Sequence, residues 1–311
     1  MTEKQFDVVG LGASTVDVIT LVERFPSGRE TQQAVGMIIQ GGGPVATAVV
    51  TVSRLGGRSA MIDSIGDDWA ADIVLRGLQS ENVDVGLIER HPGHSTSISN
   101  ILVSARDGAR AILWLPGSVP ELALSEAQKR AIQSARFLHL NGRHWNACVE
   151  AAKLARAHNV KISFDGGAHR FRPELRTLVP LTDVCIVAKD FAEQYTSEAD
   201  PATSAELLLR AGPGIVAVTD GIHGSWVCTK DGLSAHQPAF PFEATVDTTG
   251  CGDSYHGGFL AGLLRGYPPV RAATIASAVA GMNSQHLGGR TGIPSFGEVS
   301  EFLRARGVAV G

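Results

Sequence analysis

From residue 125 to residue 221 the chain alternates between helical and strand patterns, and no other feature narrows its fold so far. Apolar periodicity at 125–135, 145–158, 173–179, 190–196 and 203–211 reads as helix. Between these lie RFLHLNG (136–142), VKISFDG (160–166), DVCIVAK (183–189) and GIVAVTDG (214–221), short runs that read as buried strands. Strand-helix alternation of this kind implies a parallel sheet covered by helices on both faces. The same elements open the chain, with strands at 6–12 and 59–66 and helices at 44–57 and 67–83. Helical stretches at 252–265, 269–286 and 295–306 close it. Two regions break the rhythm. Residues 18–40 alternate in part between polar and apolar, and TSISNILVS (96–104) and ARAILWLP (109–116) flank a turn at Arg106-Asp107-Gly108 as a hairpin would. A second hairpin is expected at 224–237. The reading is an α/β fold, one domain over 1–311, from which strands near 18–40 and 96–116 project as a small β-sheet lid.

Composition removes several classes of function. The net charge is −4 and no basic block occurs, so nucleic acid and anionic membranes are poor partners. No stretch approaches the length of an apolar membrane span. The N-terminus lacks a positive start followed by a long apolar run, and the four cysteines show no CxxC spacing. A reducing cytoplasm is the expected setting. The 36 glycines fall in short clusters, which suit tight turns and close ligand approach more than disorder.

One cluster carries chemistry. In DTTGCGDSYHGG (247–258), Gly250 and Gly252 let successive backbone N–H groups face one concavity, and a helix dipole begins there. That arrangement binds an anion and stabilises charge on a transferring phosphoryl group. A carboxylate in the same place, Asp253, makes sense as the base that takes a proton from the attacking hydroxyl. On spacing alone Asp253 can equally be an acidic residue favoured in a first helical turn, and Asp247 an ordinary turn residue. Asp17 follows the first strand and can accept two hydroxyl hydrogen bonds, or cap a turn. Gly41, Gly42 and Gly43 exceed what a plain turn before a helix needs. GLGAST (10–15) begins like a dinucleotide-binding GxGxxG turn but lacks the third glycine, which leaves an oxidoreductase as a weak alternative.

VDTTGCGDSYHGGFLAGLL resembles the C-terminal signature of the ribokinase (PfkB) carbohydrate kinases, and residues 41–84 resemble the N-terminal one. The resemblance implies a three-layer α-β-α sandwich with a β-sheet lid, ATP as phosphoryl donor and Mg²⁺ as counterion. It assigns Asp253 as general base and Thr249, Gly250, Cys251 and Gly252 to the anion hole. It assigns Asp17 and Gly41 to Gly43 to the sugar, Thr219, Gly221 and Gly224 to the nucleotide phosphates, and Asn283 to the adenine wall. A monovalent cation near Asp247 and the 286–292 loop, and pairing of two copies through the lid, are further implications.

Two departures from the family pattern stand out. Ala46 replaces a sugar-binding asparagine, and AKDFAEQY carries Lys189 where an Asn-x-x-Glu motif would organise Mg²⁺; Asp190 or Glu193 could act there through water. HLNGRHWN and IVAKDFAE resemble ketohexokinases, whereas GGGPVATA, HQPAF and GGRTGIP resemble sulfofructose kinases. Arg29 in the lid and Arg143 at a strand end could offer forked donors to an anionic substrate group; each could also be a solvated surface arginine. His144 is expected to be structural or exposed. The acceptor expected is the primary hydroxyl of a ketohexose or of an anionic derivative. A nucleoside kinase on the same fold and a non-catalytic sugar sensor are the other readings.

Overall fold

The computed structural model describes residues 4–309. Its strands are β1 (Phe6–Leu11), β2 (Thr15–Val22), β3 (Gly36–Gly42), β4 (Ser59–Gly66), β5 (Ile88–His91), β6 (Ser97–Ser104), β7 (Arg110–Leu115), β8 (Ala135–Leu140), β9 (Lys161–Gly166), β10 (Val184–Ala188), β11 (Ile215–Thr219), β12 (Ser225–Thr229) and β13 (Ser234–Gln237). Its helices are α1 (Pro44–Arg54), α2 (Trp69–Ser80), α3 (Glu126–Gln133), α4 (Trp145–Ala157), α5 (Leu175–Leu178), α6 (Lys189–Thr196), α7 (Pro201–Arg210), α8 (Cys251–Leu264), α9 (Pro269–Asn283) and α10 (Phe296–Arg304).

Nine strands form one large sheet in the order β13-β12-β11-β10-β9-β8-β1-β4-β5. The run from β11 to β5 is parallel, as the alternation predicts. The hairpin β12–β13 adds an antiparallel edge, so the sheet is mixed. The opposite edge, β5, was not expected. Its IERH sequence is short and charged, the composition that protects a sheet edge and also hides a strand from pattern reading.

Each face of the sheet buries its own apolar layer. One face packs Ile132, Ala151, Phe191 and Leu208 from α3, α4, α6 and α7. The other packs Val49, Val74, Phe259, Ile275 and Val299 from α1, α2, α8, α9 and α10. Helices lie on both sides, which makes three layers. Helix α8 sits unusually deep. A Cβ at Gly258 or Gly262 would stand 2.9 or 2.8 Å from a backbone atom of α9, so both positions require glycine for the helices to approach.

A separate four-stranded sheet has the order β3-β2-β6-β7. It begins at Thr15, three residues earlier than the sequence suggests, and β3 runs through Gly41 and Gly42. Those two glycines pair with Val16 and Thr15, so they end a strand instead of forming a turn. Only Gly43 leaves the extended region, with φ 94° as the N-cap of α1. Asp17 correspondingly lies inside β2, paired with Gln40, not beyond a strand end.

Candidate active site

The carboxyl ends of the parallel strands and the N-terminus of α8 converge, the usual place for a ligand in such sheets. Gly250 adopts the left-handed conformation (φ 70°) and caps α8; a Cβ there would overlap the carbonyl of Gly289. The turn is pinned from below by Asp247, which is fully buried. Its Oδ1 accepts from the Thr249 amide at 2.7 Å and its Oδ2 from the Gly288 amide at 2.9 Å. Thr249 Oγ1 is buried and has no partner among the described residues. A Cβ on Gly252 would meet nothing within 4 Å, so the first turn of α8 opens to free space. The first amides of a helix lack an intrahelical acceptor, and here that of Cys251 donates to the Thr248 carbonyl at 3.3 Å.

Asp253 stands in that first turn, half-buried. Burial pushes its carboxyl above the ordinary carboxylate range and Asp165 adds to the rise, while Arg170, His256 and Arg110 oppose it. A base that must hold a proton briefly benefits from such a shift. The thiol of Cys251 beside it is pushed up to about 12 by burial, so it is a neutral neighbour.

Asp17 is also buried, which raises its carboxyl. Thr15 Oγ1 donates to its Oδ1 at 2.7 Å, and Arg290 and Ser99 also favour the charged form. Gly42 is needed because any side chain there would overlap the Asp17 carboxylate.

Arg290 links the two acids. Burial lowers its guanidinium to about 10, against the pull of Asp17 and Asp253. Its Nε donates to Thr47 Oγ1 at 3.0 Å and its Nη2 to the Gly42 carbonyl at 2.7 Å. Sequence reasoning missed it; the signal was a lone arginine inside the glycine run GGRTG.

Two further arginines were missed. Arg110, from β7 of the small sheet, donates to Thr248 Oγ1 at 2.6 Å, and Thr248 Oγ1 donates in turn to the Gly108 carbonyl at 3.2 Å. The tip of the small sheet therefore touches the turn that precedes Asp253. Arg170 follows β9, with Nη1 3.5 Å from Asp165 Oδ2.

The remaining expected residues divide. Arg143 follows β8 with its guanidinium 5.9 Å from the Trp114 ring of β7, so it spans the gap between the two sheets. Arg29 lies exposed in the loop between β2 and β3. His144 is buried, not exposed. Its backbone is left-handed (φ 54°) and its Nε2 lies 3.0 Å from Asp63 Oδ1. Thr219 ends β11 and Gly221 and Gly224 shape the turn into β12. Lys189 pairs with Asp220 of that turn at 3.0 Å. Asp190, in the first turn of α6, accepts from the His169 amide at 2.6 Å, while Glu193 is exposed. The Asn283 side chain is fully buried, donating to the Gly289 carbonyl at 2.9 Å and accepting from the Gly292 amide at 3.1 Å. It clamps the 286–292 loop and presents no amide to a base. The dinucleotide alternative also falls, because GLGAST runs from β1 straight into β2 with no helix for a pyrophosphate.

Comparison with known proteins agrees with this geometry. The pattern of the pfkB family carbohydrate kinases matches residues 5–295. Mouse ketohexokinase is 25% identical over 288 residues, covering 90% of this chain and 96% of that protein. A nucleoside kinase of Methanothermobacter thermautotrophicus is 28% identical over 303 residues, covering 96% of each. Ribokinase of Arabidopsis thaliana, solved with ribose and ATP, superposes with a TM-score of 0.84 at 19% identity, over 96% of this chain and 99% of that one. The chain belongs to the pfkB family of carbohydrate kinases and is a phosphotransferase with an alcohol group as acceptor.

Proposed function

We propose that this kinase transfers the γ-phosphoryl group of ATP to the primary hydroxyl of a ketohexose or of an anionic ketose derivative such as sulfofructose. The observation that carries the reading is the half-buried Asp253 carboxyl, raised by burial, in the first turn of α8 beside the glycine turn that caps it. The acceptor hydroxyl gives its proton to Asp253 as its oxygen bonds to phosphorus, and the bond from phosphorus to the leaving ADP oxygen breaks. The amides of Gly250, Cys251 and Gly252, with Thr249 Oγ1, meet the charge on the transferring group. Asp17 accepts hydroxyls of the same sugar. The small sheet acts as a lid over the sugar, and Thr219, Gly221 and Gly224 line the donor phosphates.

Mg²⁺ is normally held by substrate phosphates and one or two carboxylates, and it neutralises phosphate charge. Asp190 fits that role better than the exposed Glu193 because it sits at the strand ends in a helix first turn. A monovalent cation in the 286–292 loop would rest on backbone carbonyls, since both oxygens of Asp247 already accept amides.

Of the two arginines picked out for an anionic substrate, Arg143 is the stronger candidate because it bridges both sheets beside Trp114. The similarity to a nucleoside kinase keeps nucleosides as a second acceptor class. Partnering is proposed through the outer face of the small sheet. It exposes Met37, Ile39, Leu113 and Leu115, which the strand register puts on one face, opposite that of Asp17 and Trp114, a patch suited to a second copy of the chain.

The test is an ATP-consumption screen over ketohexoses, acidic ketoses and nucleosides, with Asp253→Asn as control. The variant should bind both substrates with kcat lowered about 10²- to 10⁴-fold. In the wild type, activity should fall with acidity at a higher pH than an ordinary carboxylate would give, because the raised carboxyl must be ionised to act. ATP binding without product across the whole panel would support a sensor and reject the kinase mechanism.

A further inference from the structure

Beneath Asp253 lies a group of buried titratable side chains that the transfer does not use. Asp165 ends β9 at 1% exposure, His256 stands one turn after Asp253 on α8, and His139 on β8 is fully buried. His256 Nε2 lies 3.2 Å from Asp165 Oδ1, close enough for an ion pair. Neither Asp165 oxygen has a well-aligned hydrogen bond among the described residues, and His256 Nδ1 and His139 Nε2 have none either. A buried carboxylate without hydrogen bonds is tolerable only beside opposite charge. Burial raises the Asp165 carboxyl, but His256 and Arg170 more than offset this and hold it below the usual range. The Arg170 side chain is 40% exposed and therefore screened, whereas that of His256 is 6% exposed. The buried partner of Asp165 is His256.

We infer that His256 is a positioning residue for phosphoryl transfer: as an imidazolium paired with Asp165, 3.2 Å away, it offsets a buried negative charge beside the base. This rests on reading Asp253 as the base. Residues 253 and 256 share a face of α8, since they are three apart. The groups acting on Asp253 from other elements are Asp165 on β9, Arg170 after it, Arg110 on β7 and Arg290 in the 288–292 loop. His139 cannot replace His256, because burial drives its imidazole down to about 3 and its Nδ1 meets Ser163 Oγ at 3.1 Å. Without His256, Asp165 stands uncompensated beside the base. Without both, the balance returns.

The experiment compares kcat and KM as functions of pH for the wild type, His256→Asn, Asp165→Asn, the double variant and Asp253→Asn. His256→Asn should move the acid limb of kcat up by about one pH unit, lowering kcat on that limb about tenfold. Its KM for ATP and for sugar should stay within about twofold. The double variant should return the limb towards the wild-type position. Should His256→Asn fail to fold, Asp165→Asn serves alone, and its limb should move down. An unmoved limb in the variant that folds, or a double variant poorer than His256→Asn, would overturn the inference in favour of packing alone. Normal kcat in Asp253→Asn would sink the base reading itself, whereas an inactive Asp253→Asn with an unmoved limb in His256→Asn sinks only the present inference.

Discussion

The two sheets of this molecule solve different problems. The large one is sealed on both faces by continuous apolar layers drawn from the helices on either side. The small one buries only Ile19, Ile101 and Val103 as its own cluster and leaves Leu113 at 68% exposure. The first is rigid because every face has a partner. The second is held by its attachment to β1 and α1 and by scattered polar contacts, among them Arg110 to Thr248, Thr248 to Gly108 and Arg290 to Gly42. The acid candidates divide along the same line, with Asp17 on the small sheet and Asp253 on the body. The comparison suggests that the body supplies rate and the small sheet supplies affinity and alignment.

Three substitutions could break that division, in descending order of expected effect. Asp17→Asn removes a charged acceptor of sugar hydroxyls, and such hydrogen bonds contribute about 1.5–3 kcal/mol each. KM for the sugar should rise on the order of 100-fold, by steady-state kinetics, with KM for ATP unchanged. An equal loss in kcat would show that the small sheet also sets rate. Leu113→Asp places a charge in the exposed apolar patch. It should turn a dimer into monomers in analytical ultracentrifugation, with about a tenfold loss of kcat/KM; a monomeric wild type would remove the proposed partner. Arg110→Ala cuts the tie between sheet tip and turn, and should raise KM for the sugar roughly threefold, since an exposed charged contact contributes below about 1 kcal/mol. No change at all would mean the tip does not guide the turn.

Much of the body was legible because its signals are local. The strand at 59–66 was read to the residue, and the helix signals around Asp253 fell within a residue of α8. The errors share a cause. Gly41 and Gly42 carry no side chains to alternate, so a strand end looked like a turn, and Asp17 was placed outside its strand for the same reason. Arg110, Arg170, Arg290 and the Asp165–His256 pair meet only when distant segments fold together, and none sits in a spacing that announces it. Asn283 was assigned by resemblance, yet its amide is spent on the backbone of a loop.

The glycines that let α8 press against α9 have a practical consequence for anyone wishing to retarget this catalyst. With no room behind the helix for even one added carbon at positions 258 and 262, the spine that carries Asp253 is closed to redesign. Diversity introduced between the two sheets, at Arg143 and Trp114, leaves that spine untouched, so libraries for new acceptors belong there.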